Sequence, residues 1–211
     1  MKITKFAHSC LLIESENDVT LFDPGAMSYA AKLLDIQNMP RLDRIIITHS
    51  HADHFSEDFV GELVAKFPDV RIITTPEVVA ALQEKGITAQ STPDDTVELF
   101  EAAHESMAPL ALLPMAQNIG VHFMGKLSHP GDSHHFSATK EILALPVDAP
   151  WGSTIEAVWL ADELKPKFII PIHDWMWNEQ WKHDTYERLE GYFKSQGITF
   201  LKMVDGQPTE L

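Results

Sequence analysis

Short apolar runs broken by turn-forming clusters open this chain, and longer apolar runs separated by amphipathic stretches follow. Cys10 to Glu14 (CLLIE) and Val19 to Phe22 flank Glu16-Asn17-Asp18, which predicts two paired strands joined by a turn. Residues 26 to 43 are mixed, with a short helix expected around Ala30 to Leu34. Arg44 to Thr48 (RIIIT) is a continuous β-branched run, the pattern of a strand buried on both faces. A helix should follow. Ser56 can cap it, Glu57 and Asp58 suit its positive end, and Phe59, Val60, Leu63, Val64 and Phe67 share one face, with Pro68 closing it. Val70 to Thr75 predicts another strand, and Pro76 to Gly86 another helix.

The middle, Ile87 to Phe136, predicts short strands, among them Thr96 to Glu101 and Ile119 to Met124 with a hairpin turn at Gly125-Lys126. Glu141 to Pro146 predicts a strand and Thr154 to Leu164 a helix. Lys167 to Ile172 is a buried-type strand, Asp184 to Ser195 a helix stopped by Gly197, and Ile198 to Met203 a last strand. Strands and helices therefore alternate twice around a β-rich middle. The expectation is an α/β fold with at least one mixed sheet, helices outside. The chain has 211 residues and no Gly/Ser/Pro linker, so one domain spanning 1–211 is expected.

Composition narrows the function classes. An apolar fraction of 45% and a charged fraction of 22% are ordinary for a soluble globular protein. The formal net charge of −15 repels phosphate backbones, so no nucleic-acid partner is expected. No apolar run is long enough to span a membrane, and the N-terminus reads as a first strand rather than a signal peptide. The single cysteine, Cys10, allows no internal disulfide and should be an inert buried thiol. Cytoplasmic location is the expectation.

Candidate chemistry sits where strands end, the usual place for sites in open α/β sheets. After Arg44 to Thr48 comes His49-x-His51-x-Asp53-His54. After Thr96 to Glu101 comes His104, after Lys126 to Ser128 come His129 and Asp132, and after Phe168 to Ile172 comes His173. Donors this numerous exceed what one tetrahedral ion takes. Two ions about 3.5–4 Å apart would use them. One ion would take His49, His51 and His104, the other Asp53, His54 and His173, with Asp132 as the bridge.

These residues resemble a known family. Thr48-His49-Ser50-His51-Ala52-Asp53-His54 matches the T-H-x-H-x-D-H signature of the metallo-β-lactamase-fold superfamily. Phe22-Asp23-Pro24-Gly25, Ala103-His104, Pro130-Gly131-Asp132-Ser133 and Pro171-Ile172-His173 resemble its later motifs in order. Ala7-His8-Ser9 and the Ala-Leu-Pro-Val segment at 144 to 147 are similar to the small ascorbate-6-phosphate lactonase-like branch. One departure is Ala7, where glycine is common. The resemblance implies a four-layer αβ/βα sandwich with metals at one edge of two mixed sheets.

It also implies a hydrolase in which a dinuclear metal-bound hydroxide cleaves a small soluble substrate. A lactone or other ester is expected, because no cationic phosphate clamp is evident; Lys126 is the one candidate for such a clamp. A phosphodiesterase of the same fold is the alternative. A di-iron redox protein and a non-catalytic metal-binding module are readings from other classes. The cofactors expected are two divalent ions, zinc first, with manganese or iron also compatible. Asp53 would orient the nucleophile and relay its proton. Asp23 would orient a ligand histidine or simply end a strand in a turn. His8 would contact substrate or move protons, or else make a structural hydrogen bond. His134 is a candidate substrate contact. His122 and His129 read as ordinary strand residues. Trp175, Trp177, Trp181 and Tyr186 would wall the substrate or pack on the last helix. The apolar 107 to 115 segment makes a homo-oligomer plausible.

Overall fold

A computed structural model describes residues 1–109 and 115–211. Most of the apolar segment invoked for self-association, residues 110–114, lies outside the described residues. The chain forms two compact units, one of residues 1–93, 116–118 and 204–211, the other of residues 94–115 and 119–203. Each is built on one mixed six-stranded sheet.

The first unit has strands β1 (Lys2–Lys5), β2 (Leu11–Glu14), β3 (Val19–Phe22), β4 (Arg44–Ile46) and β5 (Arg71–Ile73). Its helices are α1 (Ala26–Ala31), α2 (Glu57–Lys66) and α3 (Pro76–Glu84). The sheet order is β12-β1-β2-β3-β4-β5, where β12 (Pro208–Glu210) comes from the end of the chain. β1, β2 and β3 pair antiparallel, and β3, β4 and β5 pair parallel. All three residues of β4 are buried, Ile45 and Ile46 as their β-branched apolar side chains require and Arg44 with its guanidinium paired to Asp18 Oδ2 at 2.7 Å. α2 begins where its cap residue dictates: Ser56 Oγ accepts from Phe59 N at 3.3 Å. Its apolar face, Phe59, Val60 and Leu63, packs with Leu21, Ile45, Ile47 and Ile72.

Two expectations for this unit shift. The helix placed around Ala30 to Leu34 instead spans Ala26–Ala31. Gly25 is its N-cap, and Lys32 ends it in the left-handed region at φ 51°. Strand β12 escaped the sequence pattern, because three residues of mixed exposure carry no alternation.

The second unit has β6 (Val97–Phe100), β7 (Gly120–Phe123), β8 (Leu127–His129), β9 (Ile142–Pro146), β10 (Phe168–Ile172) and β11 (Thr199–Phe200), with helices α4 (Thr154–Leu164) and α5 (Glu179–Ser195). The order is β11-β10-β9-β8-β7-β6. β6, β7 and β8 pair antiparallel, and β8 to β11 pair parallel. The β7–β8 hairpin turns through Met124 and Gly125, both left-handed at φ 51° and 64°. Leu143, Leu145, Ala157, Leu160, Ile169, Leu189 and Phe193 form its core.

α5 starts five residues before the expected Asp184. Asn178 caps it, its side chain accepting from Trp181 N at 2.9 Å. The extra turn is mostly exposed and its one large apolar side chain, Trp181, is exposed too, so no buried apolar period marks it. The last strand shrinks from the expected 198–203 to Thr199–Phe200, the two residues of that stretch in register with β10.

Candidate metal ligands

In the first unit the ligand candidates lie on the loop that leaves β4. Asp23 organises them. Its Oδ1 accepts from Thr48 N at 2.8 Å, and its Oδ2 accepts from Thr48 Oγ1 at 2.8 Å. The same Oδ2 lies 2.7 Å from His54 Nδ1. Thr48 Oγ1 also lies 3.1 Å from His49 Nδ1. Since the Thr48 hydroxyl gives its proton to Asp23, it can only accept from His49. A carboxylate likewise can only accept. Both Nδ1 atoms therefore carry the proton, and in the neutral rings each Nε2 carries the lone pair a metal needs. Asp23 ends β3 in a turn, with Gly25 N donating to its carbonyl at 2.8 Å, and its carboxylate also contacts the candidate ligand His54.

The remaining candidates of this unit gather around these. His49 and His51 ring centres are 4.8 Å apart, and His49 and His54 ring centres 4.1 Å. His8 Nε2 donates to Asp53 Oδ2 at 3.1 Å, and His54 Nε2 lies 3.8 Å from that oxygen. Close packing holds the loop: a Cβ on Gly25 would fall 1.8 Å from the Asp53 carbonyl oxygen. Beside these candidates Ala7 at φ 67°, His8 at 52° and Asp23 at 44° adopt the left-handed backbone that glycine prefers. Ala7 thus occupies a position where glycine would be relaxed. Strain of this kind persists where the surroundings over-determine it, commonly at functional sites.

In the second unit His104, Asp132 and His173 converge from three separate strand ends. His104 Nδ1 donates to the Glu105 carbonyl at 2.8 Å, and His173 Nδ1 donates to the Asp148 carbonyl at 2.9 Å. Backbone carbonyls only accept, so here too each neutral ring keeps its lone pair on Nε2. Those atoms face the Asp132 carboxylate: His173 Nε2 is 3.1 Å from Oδ1, and His104 Nε2 is 3.6 Å from Oδ2. His173 also stands in the left-handed region at φ 68°.

Trp151, which the sequence pattern did not single out, sits among these three residues. Its Nε1–H donates to Asp132 Oδ2 at 3.0 Å, and its ring meets those of His134, His173 and His104 edge-on, with centres 5.1, 5.7 and 6.5 Å away. A tryptophan on a turn between strand and helix has no motif to announce it. His134 Nε2 donates to the Pro146 carbonyl at 2.9 Å, and burial holds its imidazole below the usual range.

The other singled-out residues have separate places. His122 and His129 are buried strand residues of β7 and β8, as expected. Trp177 packs against Tyr186 on α5 with ring centres 6.3 Å apart, while Trp175 and Trp181 are exposed. Cys10 is buried, and burial pushes its thiol up to about 12, in keeping with an inert role.

Comparison with known proteins fits this geometry. The model of the beta-lactamase superfamily domain matches residues 2–173, and the chain belongs to that family. It is an α/β protein of the metallo-β-lactamase fold and a metal-dependent hydrolase. It is 28% identical over 210 residues to a UPF0173 metal-dependent hydrolase of Natranaerobius thermophilus, with 89% of this chain and 92% of that protein covered. It is 31% identical over 186 residues to Protein Rv0786c of Mycobacterium tuberculosis, with 82% of this chain and 84% of that protein covered. Among solved structures it is similar to Igni18, a metallo hydrolase from Ignicoccus hospitalis, with a TM-score of 0.71, 16% identity, and 100% and 98% of the two chains covered. No helix among the described residues is long and apolar enough to cross a membrane.

Proposed function

We propose that His49, His51, Asp53, His54, His104, Asp132 and His173 hold two divalent metal ions, and that the enzyme hydrolyses a lactone or other ester of a small soluble molecule. Zinc suits this set of imidazole and carboxylate donors, and manganese or iron would fit the same donors. The observation that carries the reading is the pair His173–Asp132. An imidazole nitrogen whose partner nitrogen has committed its proton to a carbonyl faces a carboxylate oxygen at 3.1 Å. A proton on Nε2 or a metal ion between the two groups would each reconcile that distance, and a metal ion held by both is the reading that the surrounding imidazole and carboxylate donors support. Ions bound there would acidify water and offset the negative charge that develops during hydrolysis.

The chain's own residues have the remaining tasks. Asp53, one quarter exposed, would take the proton given up by the attacking water, while His8, whose Nε2 donates to its Oδ2 at 3.1 Å, keeps the carboxylate oriented. Asp23 keeps His49 and His54 in the tautomer that ligates. Trp151 fixes one oxygen of Asp132 and walls the approach to it. An ester is favoured over a phosphodiester by charge, since the chain has 16 basic against 31 acidic residues, and Lys126, the one clamp candidate, lies exposed in the β7–β8 turn. The same imbalance supports a small-molecule substrate over a nucleic acid. One family match running through residues of both units supports a single hydrolase domain.

Elemental analysis of protein purified without chelator or affinity tag tests the reading, followed by a lactone, ester and phosphodiester screen. Two ions per chain and ester turnover are expected. A single ion at saturation would remove the paired assignment, and turnover confined to phosphodiesters would remove the ester.

A further inference from the structure

Beside Asp132, within the second unit, lies a cavity of about 230 Å³ whose lining includes Trp151, Trp159, Glu105, Glu156, Glu163 and His134. Glu156, Trp159 and Glu163 fall at i, i+3 and i+7 on α4, so one face of that helix supplies an indole between two carboxylates. Trp151 forms the other aromatic wall, and its N–H ties that wall to Asp132 at 3.0 Å. Glu105 is held in place, its Oε1 accepting from His134 N and paired with His135 Nδ1, each at 2.7 Å. Glu156 is held by Ser153, its Oε2 accepting from Ser153 N at 2.7 Å. Among the described residues Glu163 has no ion-pair partner. Trp159 is 66% exposed, a large apolar surface left open to water at the rim.

We propose that this cavity receives an organic ammonium group carried by the substrate, so that the preferred esters are cationic. Indole faces attract a weakly hydrated cation through their quadrupole, and three carboxylates add attraction without offering the convergent oxygens a metal ion would need. A phosphate or carboxylate would meet three like charges. A neutral alkyl group would gain the indole contacts and nothing from the glutamates. The assignment rests on the proposed role of Asp132 in the hydrolytic centre, since Trp151 links the cavity to it.

Choline and its neutral isostere 3,3-dimethylbutan-1-ol, titrated by calorimetry into metal-loaded enzyme, test the cavity without turnover. Choline should bind about tenfold tighter. Glu163→Gln should narrow that ratio by about threefold, and Trp159→Ala should bring it close to one. Both changes are at exposed positions of α4, so the variants should fold. Equal affinities in the wild type, or a ratio that neither substitution moves, would overturn the proposal. The acetate esters of the same two alcohols then compare kcat/KM. The same preference for the cation is expected. Selective choline binding with hydrolysis of neither ester would uphold the cavity and overturn the ester reading, so the two fail separately.

Discussion

The two units hold their ligand candidates by different means. In the first, one carboxylate, Asp23, reaches His54 directly and His49 through Thr48. In the second, His104 and His173 are each held by a backbone carbonyl. A side-chain anchor is adjustable but can be lost by one substitution. A backbone anchor survives any substitution that leaves the loop in place. The first arrangement concentrates risk in one buried residue, and the second spreads it over the loop conformations that follow β6 and β10.

The largest effect should come from the ligands themselves, and it should be alike in both units. His49→Ala and Asp132→Ala should each lower hydrolysis by at least ~100-fold, because even outer partners of metal ligands are worth 10- to 100-fold. Metal content per chain should fall with activity while circular dichroism stays unchanged. Turnover like that of the wild type in either variant would remove that unit's residues from the centre.

The anchors should then separate the units. Asp23→Asn can still accept a hydrogen bond but loses the charge that favours the Nδ1–H tautomer of His54. It should weaken metal binding by roughly 10- to 100-fold. Asp148→Asn alters a side chain and keeps the carbonyl that holds His173, so metal affinity should change by less than about threefold. Competition with a chromophoric chelator measures both. Equal losses would mean that the contrast between side-chain and backbone anchoring has no energetic content.

The same contrast explains what was legible in the sequence. The first unit's candidates occupy His49 to His54, and the β-branched run before them marks the strand end they follow. Asp23 lies 25 positions before Thr48, yet its motif with Pro24 and Gly25 draws attention to it. The second unit's candidates are scattered over 104 to 173, and no local period relates them; their places at the ends of predicted strands brought them into one set, and the family resemblance then matched their motifs in order. Trp151 was missed because an indole on a turn carries no spacing rule, and its role appears only when the β9–α4 connection carries it to Asp132. Elements were legible where burial imposes a period, as in α2 and β4. The exposed first turn of α5 and the short β12 were not.

Helix caps offer a smaller comparison. Ser56 caps α2 through one bond, accepting from Phe59 N. Ser153 caps α4 reciprocally, accepting from Glu156 N while Glu156 reaches back to Ser153 N. Ser56→Ala should cost about 1 kcal/mol. Ser153→Ala should cost somewhat more, because it also removes the Ser153 Oγ bond to Glu156 at 2.9 Å. Urea denaturation of both variants measures the difference, and a larger loss for Ser56→Ala would reverse the ranking.

The smallest effect concerns two buried groups outside the ligand sets. Burial raises the Cys10 thiol to about 12 in the first unit, so it stays protonated in both folded and unfolded chains below pH 7.5 and is silent there. Burial lowers His122 in the second unit, with Lys140 pushing the same way, and His122 Nδ1 pairs with Ser128 Oγ at 2.8 Å. As pH falls through the ordinary histidine value near 6.5, the unfolded chain takes this proton first. Stability that His122 contributes above that value is therefore lost on acidification, until the folded form is protonated as well. Urea midpoints at pH 7.5 and 5.5 should fall in the wild type and fall less in His122→Gln, which has no proton to take up. Cys10→Ser should leave the pH slope as it was. An unchanged slope in His122→Gln would place the acid sensitivity of this protein in other groups.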